Sequence, residues 1–135
     1  SIGYIGYEYA FAQKIPMAKV MNSAGNFIEP ALESFSAAAA AEMPADTRVM
    51  ITNSSNPAAY PITSFTWIIL YRDLAYANHT REAAAATVNT VRWLTGKEAQ
   101  AIATSVHYAA LPQNAATQAA ELLKGITYQG ETLLK

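Results

Sequence analysis

Three hydroxyls fall close together at Thr63, Ser64 and Thr66, reached from an Asn/Ser-rich loop at 53–59. Hydroxyls and backbone N–H groups at helix N-termini together can hold an oxyanion without a fixed charge. Thr63 and Ser64 stand at the mouth of the most apolar run of the chain, and they are its candidate ligand-binding residues. The same side chains have a purely local use as well, because threonine caps loop backbone groups and fits strands. No arginine stands beside the cluster to supply a charge-assisted bond.

Other chemistry has less to work with. His79 and His107 are the only histidines, and neither has a second histidine or a carboxylate four residues on. A zinc site needs three or four converging ligands, so no metal site is expected. His79 reads as a surface residue at a helix start, and His107 as a residue at a helix end, where a cation is mildly favoured. Cysteine is absent, which removes thiol nucleophiles, disulfides and cysteine-based zinc sites. Gly3-x-x-Gly6 matches the spacing of a nucleic-acid clamp, but no basic residue flanks it and a structural glycine pair accounts for it. Neither Gly-x-Gly-x-x-Gly nor a phosphate-cradling Walker loop occurs. No catalytic residue, cofactor or enzymatic activity is therefore expected. Asn53-Ser54-Ser55 and Asn78-His79-Thr80 fit the glycosylation triplet, which is frequent by chance.

Composition narrows the class. The 135 residues are 52% hydrophobic and 14% charged, which argues for an ordered body with a core. Nine basic residues against ten acidic ones give a net charge of -1, and the basic residues are scattered. That excludes a polybasic nucleic-acid surface. The central run Phe65–Tyr71 is far shorter than the roughly 20 apolar residues that cross a bilayer, so no direct membrane insertion is expected. No basic and apolar leader opens the chain.

The elements that position these residues follow from periodicity. Phe65-Thr66-Trp67-Ile68-Ile69-Leu70-Tyr71 is β-branched and aromatic, without charge, and is bounded by Pro61 and by Arg72-Asp73. It reads as a strand buried on both faces. Ile2–Tyr9 suits a strand with close backbone approach at Gly3 and Gly6, followed by a helical turn over 9–14. Two short apolar segments around Asn22–Asn26 signal a hairpin. Pro30 is placed to open a helix over Ala31–Ala41, and Thr47–Thr52 reads as a strand. Further helices are expected over Arg81–Leu94, Glu98–Val106 and Ala115–Lys124. Asn78 or Thr80 caps the first of them, Gly96 closes it, and Pro112 precedes the last. Residues 127–135 show no clear period.

Four stretches in order carry a family resemblance. Tyr60-Pro61-Ile62-Thr63 leading into the apolar run resembles the late crossover segment of the phosphate-binding proteins of bacterial ABC importers. Ile2-Gly3-Tyr4-Ile5-Gly6-Tyr7-Glu8-Tyr9-Ala10 is similar to that family's Gly-(Ala/Ser)-Ile-Gly-Tyr-x-x-Tyr-Ala. Thr90-Val91-Arg92-Trp93 resembles its Trp-bearing helix, and Tyr108-Ala109-Ala110-Leu111-Pro112 its Tyr-x-x-Leu-Pro.

The resemblance covers the carboxy-terminal part of the family only. It implies an α/β fold: the carboxy-terminal portion of a two-lobed periplasmic binding protein of type II-like plan, a sheet flanked by helices. Residues 1–59 would end the second lobe, and 60–135 would supply the crossover strand and closing helices of the first. It also implies a periplasmic or extracytoplasmic location, a signal far upstream in a longer precursor, phosphate as ligand of the complete parent, and the membrane subunits of an ABC importer as partners. The family grips phosphate with hydroxyls, backbone N–H groups, an Asp and an Arg followed by x-x-x-Ser-Gly-Thr. No Ser-Gly-Thr occurs here, so no binding residue transfers by motif. The isolated chain is expected to bind phosphate no better than about 1 mM, or about -4 kcal/mol. An unpaired central strand also leads to the expectation of a homo-oligomer. The alternatives are a ligand-free interaction module and a binding protein for another small oxyanion.

Overall fold

A computed structural model describes residues 2–134 and shows a mixed helix-and-strand chain. In order the elements are α1 (Tyr7–Ala12), β1 (Val20–Met21), β2 (Phe27–Ile28), α2 (Leu32–Ala39), α3 (Arg81–Leu94), α4 (Lys97–Ser105), α5 (Gln113–Lys124), β3 (Thr127–Tyr128) and β4 (Glu131–Thr132). Two compact units divide the chain. One takes residues up to Glu42, Met50–Phe65 and Ala101–Pro112; the other takes Met43–Val49, Thr66–Gln100 and residues from Gln113 on.

In the first unit, β1 and β2 pair antiparallel with Val20 opposite Ile28 and Met21 opposite Phe27. This is the hairpin expected around Asn22–Asn26, and Gly25 adopts the left-handed φ of 81° that its turn requires. Helix α2 begins two residues beyond Pro30. Ser34 Oγ accepts the Ala31 N–H at 3.0 Å, which satisfies a donor left open at the helix start. Tyr7, Phe35 and Tyr60 form an edge-to-face wall, with ring centroids 4.8 Å apart for Tyr7–Phe35 and 5.8 Å for Phe35–Tyr60.

The second unit is built on α3 and α5. Thr80 is the cap of α3, its Oγ1 accepting the Ala83 N–H at 3.2 Å. Leu74, Ala84, Val88 and Leu123 form the buried core, with Leu70, Val91, Ile126 and Tyr128 packed against it. β3 and β4 form a second hairpin, Thr127 opposite Thr132 and Tyr128 opposite Glu131. Its turn places both Gln129 (φ 51°) and Gly130 (φ 80°) in the left-handed region, the geometry of a two-residue hairpin loop. The 73–74 backbone joins this hairpin through a parallel bridge between Asp73 and Thr127.

Several expected elements differ. Residues 65–71 are neither helical nor paired in a ladder, and Ile68, Ile69 and Tyr71 are exposed rather than buried on two faces. A strand exists only with a hydrogen-bonded neighbour, and among the described residues no backbone hydrogen bond pairs Ile68–Tyr71 with another segment. Thr47–Thr52 lacks a ladder for the same reason, with Thr47 itself at a φ of 59°. The amino-terminal stretch turns helical from Tyr7 instead of running as a strand to Tyr9. Gly96 closes α3 by donating to the Trp93 carbonyl at 2.9 Å. It also opens α4, its own carbonyl accepting from Gln100 at 3.1 Å.

Candidate functional site

The loop that leads to Thr63 is tied down by amides. Asn22, buried to 4% exposure, donates its side-chain N–H groups to the carbonyls of Pro57 at 3.0 Å and Ala59 at 3.2 Å. Its Oδ1 accepts the N–H groups of Ala24 and Asn26, both at 3.1 Å. Asn26 reaches Pro57 as well, and Asn56 donates to the Ala37 carbonyl at 3.1 Å. A hairpin turn and a helix thereby hold one loop, which fixes the position of Tyr60-Pro61-Ile62-Thr63.

Thr63 is half-buried, and its hydroxyl donates to the Tyr60 carbonyl at 2.8 Å while its own carbonyl accepts Thr52 Oγ1 at 3.3 Å. The local cap weighed from sequence is thus formed. Ser64 is exposed, and its hydroxyl makes no hydrogen bond among the described residues. Thr63 and Ser64 lie in the first unit, whereas Thr66 belongs to the second.

The first unit also contains a cavity of about 580 Å³ whose walls include Ile5, Tyr7, Val20, Phe35, Tyr60 and Ile62. Among the described residues no charged side chain lines it. Moving a multiply charged oxyanion out of water requires charge-assisted donors, so this cavity is unsuited to phosphate.

Neither histidine anchors a site. His79 is half-buried beside Tyr76, with ring centroids 5.3 Å apart, and its carbonyl accepts the Tyr128 hydroxyl at 3.0 Å. Its Nδ1 is buried and without a partner among the described residues. His107 sits just beyond α4 with a left-handed φ of 68°, its ring 4.2 Å from that of Phe11. Among the described residues no three His, Cys, Asp or Glu side chains converge. Near α1, a hydrogen bond with Glu8 pushes the Tyr108 phenol above its ordinary range.

The most heavily bonded carboxylate, Asp73, was invisible as a feature of the sequence. Its Oδ2 accepts the Gly130 N–H and the Thr127 hydroxyl, both at 2.8 Å; Oδ1 accepts Ala75 N–H at 2.9 Å and Gln129 N–H at 3.2 Å. These bonds, the Gly130 N–H foremost, lower its pKa to about 2. Apart from Ala75, the partners lie more than 50 residues away in sequence, so spacing carries no sign of them.

No protein-family profile matches the chain. Individual relatives do, and they are two-lobed periplasmic binding proteins, a class whose mixed helix-and-strand character the chain shares. The chain is 33% identical to the phosphate-binding protein PstS of Xylella fastidiosa (strain 9a5c) over 87% of its length, and 30% identical to that of Pasteurella multocida over 100%. The match to the PstS of Methanocaldococcus jannaschii is 25% over 86%. Over most of its length the chain is thus similar to a partial region of PstS phosphate-binding proteins, and it spans 32%, 37% and 32% of these relatives' lengths, about a third.

Proposed function

We propose that the chain is a structural portion of a phosphate-capturing substrate-binding protein that delivers its ligand to the membrane subunits of an ABC importer, outside the cytoplasmic membrane. The observation that carries this reading is the match to the Pasteurella multocida phosphate-binding protein along the whole of this chain. On this reading the chain has no enzymatic role. Among the described residues no helix is long and apolar enough to cross a membrane.

In the proposed arrangement, residues 1–59 end one lobe, and 60–135 cross back to complete the other. The contribution of this chain to the ligand is hydroxyl and backbone contact near Thr63 and Ser64. Of the two, Ser64 is the better placed to donate outward, because the Thr63 proton already serves the Tyr60 carbonyl. The charged grip comes from the rest of the family's length, since the cavity found here is lined without charge.

Isothermal titration tests the reading with two proteins. The purified chain should bind phosphate no more tightly than about 1 mM. A hybrid, in which this chain replaces the matching region of the Pasteurella multocida relative, should bind phosphate in the micromolar range or tighter. Ser64→Ala in that hybrid should weaken binding about tenfold, the cost of losing one hydrogen bond to a charged group. A folded hybrid that gives no heat with phosphate would overturn the proposal.

A further inference from the structure

In the second unit, the β3–β4 hairpin meets the segment ahead of α3 around one carboxylate. Asp73 Oδ2 accepts the Gly130 N–H and the Thr127 hydroxyl, and Oδ1 accepts the Ala75 and Gln129 N–H groups, at 2.8–3.2 Å. Each oxygen takes two donors, so four donors converge on a single planar group. Three of the four come from the hairpin, where Gln129 and Gly130 stand at left-handed φ values of 51° and 80°. Successive N–H groups held in that way form a concavity that selects anions. The neighbouring carboxylate of Glu131 is committed to Arg81 at 2.9 Å, and Asp73 is the group that fills the concavity. Gln129 and Gly130 are exposed, so an anion from solution can reach these donors once the side chain is removed.

We propose that the turn of the β3–β4 hairpin is a carboxylate-binding cradle, and that the Asp73 side chain is its tethered ligand, locking the turn to the segment ahead of α3. Tethering gives the side chain a high effective concentration at the cradle, so free anions do not displace it in the unsubstituted chain. The donor set selects a small planar carboxylate, because each of two oxygens meets two donors. Chloride offers one point to the same four donors. The lock acts on the turn more than on the whole hairpin. Tyr128 is held separately, its hydroxyl donating to the His79 carbonyl at 3.0 Å, and Glu131 is held by Arg81. Loss of the carboxylate therefore frees Gln129 and Gly130 selectively. The proposal is independent of the phosphate reading, since none of its groups is a residue assigned there.

The test uses Asp73→Gly in the full chain, with formate as the probe and no phosphate present. Without formate, amide exchange at Gln129 and Gly130 should be about tenfold faster than in the unsubstituted chain, the effect of losing a hydrogen bond to a charged group. Amides within α3 should keep their protection. Formate should reverse most of that acceleration with a saturating concentration dependence, whereas sodium chloride at the same ionic strength should not. In the unsubstituted chain formate should change nothing, because the cradle is filled. Unchanged exchange on substitution, a folded variant that does not respond to formate, equal slowing by chloride, or slowing by formate in the unsubstituted chain would each overturn the proposal. If Asp73→Gly loses the protection of α3, Asp73→Asn decides the matter. Asparagine keeps the shape but replaces one acceptor oxygen by an NH2 donor. Exchange of at least one of the two amides should then rise about tenfold, and exchange at both as slow as in the unsubstituted chain would overturn the proposal.

Discussion

Asp73 Oδ2 accepts the backbone N–H of Gly130 at 2.8 Å, so a carboxylate ahead of α3 holds the turn of a hairpin more than 50 residues later. Successive N–H groups of Gln129 and Gly130, both in the left-handed region, converge on this one group. Such paired amides make a small anion-binding concavity, and here the chain fills it with its own carboxylate.

The pH dependence of that clasp has a definite sign. The folded pKa of Asp73, about 2, lies below the ordinary 3.8, so the ionised form favours the folded state. Its contribution is complete above pH 3.8 and disappears as pH falls through about 2. Amide exchange at Gln129 and Gly130 should therefore accelerate over that window more than exchange within α3. Asp73→Ala should show fast exchange at these two amides throughout, with the acid-dependent step gone.

How much of this was readable in the sequence depends on the range of the forces involved. Helices α3 and α5 were legible because the Thr80 cap, the Pro112 boundary and the apolar spacing are local. The first hairpin was legible through Asn22–Asn26. The second was missed because Gln129, which carries a side chain, takes a left-handed position that sequence rules reserve mainly for Gly and Asn. The run at 65–71 has strand composition, yet composition supplies no hydrogen-bonding neighbour. For the candidate site, the hydroxyls were identifiable by type, but the Thr63–Tyr60 bond was one of two open uses. The Asn22 clamp and the Asp73 clasp join distant segments, so neither has a local pattern.

Asn22 makes a separate prediction for the first unit. Its amide uses both donors on Pro57 and Ala59 and its oxygen on two N–H groups, and the residue is 4% exposed. Asn22→Ala leaves several of these groups without partners in a buried setting. The expected loss of stability is about 1–3 kcal/mol, the desolvation cost of a buried polar group left unmade. Denaturant unfolding followed by far-ultraviolet circular dichroism measures it. A change below about 0.5 kcal/mol would show that water replaces the amide without penalty.

The contrast between Leu74 and Ile69 separates core from open surface on one segment of the second unit. Leu74 is 1% exposed and touches the core shared by Ala84, Val88 and Leu123, whereas Ile69 is 91% exposed. Leu74→Ala removes buried methyl groups and leaves a cavity, with an expected cost of about 2–5 kcal/mol. Ile69→Ala removes side-chain atoms that water already surrounds, and should change the stability of the isolated chain by no more than about 0.5 kcal/mol. Both variants can be followed in the same denaturant titration, read through near-ultraviolet circular dichroism of the aromatic residues. A cost of several kcal/mol for Ile69→Ala would mean that this side chain is covered in solution. Equal, small effects at both positions would instead show that the core around Val88 is not close-packed.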